Sequence, residues 1–206
     1  MPICEPCGIV QLGPLVSPNP RCVCPVFPGT GGGGIAGGGA IIPFSTGLTP
    51  AALTVIAGGL VGVSAAVGFG ASLPIVTVAG LPINLAGLTN IAFTVPRSGI
   101  VNAISANFQT TVALDLLLAT ATVSATLYRA PAGSNIFTPV PGGTVVLQPS
   151  LTGVISVGTL LSGSTGLVAP VAAGDRLMMV FSVSEASGLP ILEAVVGAAS
   201  AGVNIV

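Results

Sequence analysis

The chain is short of almost everything that charged surface chemistry needs. Histidine and tryptophan are absent and lysine does not occur, so four arginines and five acids are the whole charge inventory of 206 residues. Those residues are Glu5, Arg21, Arg97, Asp115, Arg129, Asp175, Arg176, Glu185 and Glu193, and no charge falls between Arg21 and Arg97. Ordinary soluble domains carry about a quarter of their residues as Asp, Glu, Lys or Arg. A net charge of −1 with isolated arginines gives no footprint for nucleic acid, which is bound through clustered cations. A chain this neutral has little to oppose self-association, and the sequence therefore predicts a subunit of an assembly.

The scarcity of titratable groups also argues against an enzyme. General acid–base chemistry needs a group poised near its working pH, usually His, Glu, Asp or Lys. Here the acids are scattered, and only Asp175 has a charged sequence neighbour, Arg176. Asp175 follows Gly174 and reads as turn chemistry at a strand entrance. Asp115 sits in the apolar run Ala113–Leu117 and, if buried, is expected to find an ion partner in Arg97 or Arg129. The glycine-rich stretches lack the Lys-Ser/Thr that completes a phosphate loop. No catalytic residue, cofactor or resident metal is expected.

High hydropathy raises the question of a membrane span. Ala51 to Leu73 is 23 residues without a charge, long enough on paper to cross a bilayer. It contains Gly58, Gly59, Gly62, Gly68 and Gly70 between Pro50 and Pro74, and it has small side chains and no flanking cations. Two apolar strands joined by a glycine turn fit better, and no membrane insertion is expected. The start, MPICEPCG, has neither a basic n-region nor an apolar h-region, so no secretory signal is visible. No Asn-X-Ser/Thr acceptor for N-glycosylation occurs either.

What is present divides the chain in three. Residues 1–28 hold Pro2, Pro6, Pro14, Pro18, Pro20, Pro25 and Pro28, which exclude a regular helix and favour an extended arm. Fully extended, it would reach on the order of 85 Å, enough to touch a neighbouring subunit through Ile9, Val10, Leu12, Leu15 and Val16. Residues 29–40, GTGGGGIAGGGA, read as a flexible linker, with close packing of several glycine segments as the alternative. From residue 41 to 206 strand patterns recur. Ile104 to Gln109 and Thr122 to Arg129 alternate apolar and polar with period two. Arg176 to Ser184 places Leu177, Met179, Phe181 and Val183 on one face but Met178 and Val180 on the other. Such a strand is either central or covered by a partner. Gly/Pro turns between these runs indicate an all-β sandwich or jelly roll.

All four cysteines, Cys4, Cys7, Cys22 and Cys24, fall in the arm. Cys4-Glu5-Pro6-Cys7 looks like half of a zinc knuckle, but the second pair has a single intervening residue instead of two to four. In an extended strand Cys22 and Cys24 would lie about 6.6 Å apart on one side, near the limit for bridging each other. Intermolecular disulfides to a neighbour's arm are the favoured reading and zinc the alternative.

The β region resembles a known family. Ile41-Ile42-Pro43-Phe44-Ser45-Thr46-Gly47, Thr54 to Gly62, Val67-Gly68-Phe69-Gly70, Phe93 to Gly99, Ala125-Thr126-Leu127-Tyr128, Phe137 to Gly142, Ala173 to Leu177 and Val196 to Gly202 are similar, in order, to the C-terminal (BclB-type) domain of collagen-like exosporium glycoproteins of bacterial spores. The resemblance implies a jelly roll of the tumour necrosis factor/C1q kind, a homotrimer and a place on the spore surface. The first forty residues depart from it, with no leader and no Gly-X-Y repeat. The Cys-bearing connector is similar in its logic to those of endospore appendage pilins, which link successive subunits covalently. Together these imply a spore-surface fibre of trimers joined head to tail by arms and disulfides, with an anchor protein on the exosporium or coat as a further expected partner, outside the mother cell after lysis. The other reading is a trimeric head that binds a receptor or glycan.

Overall fold

In the computed structural model the chain divides between Ala36 and Gly37. Described are residues 39–54, 62–77, 80–88, 91–185 and 194–206, all in the second unit. The arm, with its cysteines, lies outside them. Thirteen strands follow in order: β1 (Ala40–Ser45), β2 (Ala51–Leu53), β3 (Gly62–Val67), β4 (Ser72–Thr77), β5 (Ile83–Asn84), β6 (Phe93–Thr94), β7 (Gly99–Thr110), β8 (Leu114–Ala130), β9 (Ile136–Val146), β10 (Leu151–Ile155), β11 (Leu160–Val171), β12 (Arg176–Glu185) and β13 (Val195–Ile205). β1 begins at the last residue of the glycine-rich stretch, and the described parts of the apolar run Ala51 to Leu73 belong to β2, β3, the turn after it and the start of β4. No helix among the described residues is long and apolar enough to cross a membrane.

The strands form two antiparallel sheets ordered β1-β13-β7-β11 and β4-β3-β12-β8-β9-β5, with β2 on β13, β6 on β12 and β10 on β8. Among the eight principal strands the order is first-eighth-third-sixth in one sheet and second-seventh-fourth-fifth in the other. The chain changes sheet at every connection between them except β8 to β9. That winding is a jelly roll, two Greek keys wrapped into one sandwich.

Alternation decides which side chains meet between the sheets. In β13, Val195, Ala199, Ala201, Val203 and Ile205 point inward; in β7, Val101, Ile104, Ala106 and Phe108 do. Leu177, Met179 and Phe181 of β12 close the core from the opposite sheet, with the Phe108 and Phe181 rings 6.4 Å apart. Gly197 also faces inward, where a Cβ would strike the Phe108 ring. Gly163 plays the same part at β11, where a Cβ would lie 2.6 Å from the Val146 carbonyl oxygen. Both glycines are required by close approach, since only they let a neighbour fill that volume.

The doubly apolar β12 is central. It pairs with β8 along one edge and with β3 and β6 along the other. Its second face is covered by the chain itself: Met178 and Val180 pack with Ala66, Tyr128 and Phe137 under Ile75, Ile83, Leu85 and Ile91. No partner subunit is needed there.

Phe181→Ala removes a fully buried ring and is expected to cost about 3 to 5 kcal/mol, measured by denaturant unfolding; a neutral result would put Phe181 on the wrong face. Tyr128, the chain's one tyrosine, has its pKa raised by burial, while a hydrogen bond with the Gly80 backbone works the other way. Its phenol ionises more readily in the unfolded chain, so the phenol's contribution to stability is intact below pH of about 10 and lost as pH rises through the higher folded value. Tyrosinate absorbance of the folded protein should therefore titrate above that of the unfolded chain, and Tyr128→Phe should remove this part of the alkaline loss. Coincident titrations would refute the assignment.

Candidate assembly interface

The few charges of the β unit serve turns and strand ends. Asp175 accepts a hydrogen bond through Oδ2 from the Ala172 amide at 2.9 Å, which closes the turn before β12, and the same oxygen lies 3.7 Å from Arg129 Nε. The ion pair expected for Asp115 is thus made by Asp175. Asp115 is exposed, and its Oδ1 accepts from the Leu117 amide at 2.9 Å, fixing a local turn in which Leu117 has a φ of 52°. An acid in an apolar run needs no buried partner when the run itself bends outward. Arg176 donates to the Ser134 carbonyl oxygen and to Asn135 Oδ1, and its guanidinium lies 5.1 Å from the Phe137 ring centre. These groups are committed to holding loops. Among the described residues there is no group of three or more His, Cys, Asp or Glu that could hold a metal.

The outer face of the smaller sheet has a different character. Register sets Ser45, Ser200, Asn107 and Ser162 side by side across four strands, and beside that row Pro43, Gly202, Ser105 and Ser164. A third row runs Ile41, Asn204, Ala103 and Gly166. The two first rows floor a broad concavity of about 680 Å³. Nothing on these rows is charged, and apart from Ile41 their side chains are small. A face of this kind admits another backbone closely, and its hydroxyls can be hydrogen-bonded across an interface at little cost compared with burying an ion. The face is uncharged but built largely of Ser, Asn, Ala and Gly, not of large apolar side chains. The signal was present as the polar half of the alternation in β7 and β13, but only the register shows that the small residues line up across strands.

The larger sheet carries hydroxyl pairs instead: Ser124 with Ser182 and Thr126 with Thr144 across strands, and Thr122 with Ser150 just before β10, each at 3.1 Å. Ser64, Ser124, Thr126, Tyr128, Thr144 and Ser182 line a cavity of about 170 Å³ on this side.

The residues expected in the arm, Cys4, Cys7, Cys22 and Cys24 and the docking set Ile9, Val10, Leu12, Leu15 and Val16, lie outside the described residues.

No protein-family model matches the chain. It is homologous to part of the collagen-like protein 1 of Acanthamoeba polyphaga mimivirus, with 37% identity over 182 residues, covering 84% of this chain and 19% of that protein. The chain thus spans about a fifth of that relative's length. Among solved structures, the Eiger TNF of S. frugiperda aligns with a TM-score of 0.42 and 14% identity over 82% of this chain and 92% of that one. The jelly-roll assignment rests on the strand order.

If the uncharged face is where copies associate, Ser105→Arg should break the oligomer. Ser105 is exposed on β7, so the isolated fold should keep its β circular dichroism and most of its stability while sedimentation shows a fall in mass. The wild-type oligomer should be nearly indifferent to added NaCl, because screening acts on exposed charges and the face has none. An Ser105→Arg chain that sediments as wild type would exclude this face.

Proposed function

We propose that the chain is a structural subunit of a self-assembling fibre on a spore surface, in which three jelly rolls associate side by side into a trimer and N-terminal arms join one trimer to the next. The observation that carries this reading is the uncharged small-residue face across β1, β13, β7 and β11, in a chain with nine formal charges in all. A freely diffusing monomer gains nothing from such a surface, whereas an assembled subunit buries it. Homology to a collagen-like protein is consistent with a structural role. The spore surface rests on the sequence resemblance of residues 41–206, and the exosporium or coat is the location it suggests. Covalent links through Cys4, Cys7, Cys22 and Cys24 would make the fibre resistant, and docking through Ile9, Val10, Leu12, Leu15 and Val16 would seat each arm.

A second reading, a trimeric head for a receptor or glycan, is favoured by the hydroxyl-lined cavity at Ser64, Ser124 and Ser182. The arm separates the two readings. A head needs a single attachment, while a fibre subunit needs both a reaching segment and a surface that receives it.

Removal of residues 1–28 should leave a folded oligomer that makes no fibres by negative-stain electron microscopy. Changing Cys4, Cys7, Cys22 and Cys24 together to Ser should allow fibres to form but abolish their resistance to boiling detergent, and a strong reductant should do the same to wild type. Fibres from the truncated chain would sink the proposal. Disassembly by a chelator instead of a reductant would show that the cysteines hold metal.

A further inference from the structure

The two ends of the sandwich differ in charge. At one end Gly99 pairs with Val171 and Ala130 with Arg176, and the turn through Ala172 and Asp175 joins the two sheets. Ala40, on which the preceding chain is joined, is at this same end, opposite Ile205. At the other end Thr110 pairs with Gly197 and Leu114 with Ile155, and the loops after β7 and β10 cross between sheets. Arg97, Arg129, Arg176 and Asp175 all stand at the first end, three cations against one anion. Asp115 stands at the second, and Glu185 closes β12 toward it. Among the described residues the first end therefore carries a net +2, the second holds the exposed anion Asp115, and no cation stands near it.

Each end also exposes apolar side chains. Ile100 and Val168 do so beside the arginines, and Val112, Leu117, Val154 and Val157 do so beside Asp115, with Leu117 and Val154 more than three-quarters exposed. Exposed apolar surface favours contact without specifying its direction. Opposite charge supplies the direction, because like ends repel and unlike ends attract. Among the described residues no other formal charges compete with these groups in setting the field along the sandwich. Arg176 and Arg129 are held by Asn135 and Asp175, which leaves the exposed Arg97 as the first end's most available cation.

We propose that the two ends are mating surfaces for copies of this chain, the Arg97 end of one sandwich docking on the Asp115 end of the next. This rests on the fibre reading for its biological setting but not for its test. Lateral association through the uncharged face and axial association through the charged ends then respond differently to salt, which separates them in one experiment.

The full chain is followed by small-angle X-ray scattering and electron microscopy at about 0.02 M and about 0.5 M NaCl, where the screening length changes from tens of ångströms to a few. Axial lengthening should be stronger at low salt, with the lateral oligomer unchanged. Arg97→Gln and Asp115→Asn should each weaken axial association about fivefold at low salt and flatten its salt dependence. Asp115→Asn keeps the Oδ1 that accepts from the Leu117 amide, so the local turn survives. Arg97→Lys should behave as wild type. Fibres that grow equally at both salt concentrations and in both neutral variants would overturn the mating ends and leave the fibre reading standing. Salt-dependent end-to-end pairs without fibres would support the mating ends and sink the fibre reading. Neither fibres nor end-to-end pairs would sink both.

Discussion

The β8–β12 ladder is the constraint on which the rest of the molecule depends. Ten residue pairs join the two strands, from Arg176 opposite Ala130 to Glu185 opposite Ala121, and Leu177 through Phe181 are buried on both faces. An antiparallel pair buried on one side leaves the other to water or to a partner. Here the inner face meets Phe108 and β13, and part of the outer face is roofed by Ile75, Ile83, Leu85 and Ile91. The long path from β4 to β6 is therefore a cover for β12. That use of the chain has a consequence for association: among the described residues the smaller sheet has no such roof, and its outer face is left open by them across its four main strands.

Charge placement follows from the same geometry. An ion between the sheets or on the small-residue face would have to be desolvated, at a cost of several kcal/mol unless fully compensated. The charges of the described residues instead stand at turns and strand ends. There Asp175 fastens the turn that begins at Ala172, Arg176 ties down Asn135, and Asp115 caps the bend at Leu117. Each holds a place where the chain reverses or bulges. Polar fixation at the ends and apolar packing in the middle divide the work of specifying one register, since a one-residue slip of β7 or of β12 would turn its inward ring, Phe108 or Phe181, outward.

The fold was legible in the sequence where alternation was strict. Ile104 to Gln109 and Thr122 to Leu127 show buried and more accessible residues in the expected phase, and Pro/Gly clusters marked the turns. Tyr128 breaks the phase because its ring is covered by the second core, whose members run from Ala66 to Val180, a contact distant in sequence that no local pattern announces. The partner of Asp115 was misplaced for a related reason. Hydropathy of Ala113 to Leu117 suggested burial, but the left-handed backbone at Leu117 bends the strand so that the carboxylate meets an amide two residues on. The candidate interface was half legible. Its lack of charge could be read from composition, whereas its rows of Ser, Asn and Gly exist only once β1, β13, β7 and β11 are laid in register.

An uncharged lateral face and oppositely charged ends make different demands on an assembly, and both can be met by one chain. Lateral contact between small-residue sheets depends on close backbone approach and shared hydrogen bonds, which salt scarcely alters. Axial contact has to choose a direction, and a few charges suffice where the described residues carry so few others to compete with them. The scarcity of charge thereby acquires two effects from a single cause. It removes repulsion where copies lie side by side, and it leaves the groups at the ends as the dominant long-range signal. Adding solubilising lysines to the surface would relieve the first and blur the second, which is a physical reason for a chain of this kind to remain nearly neutral.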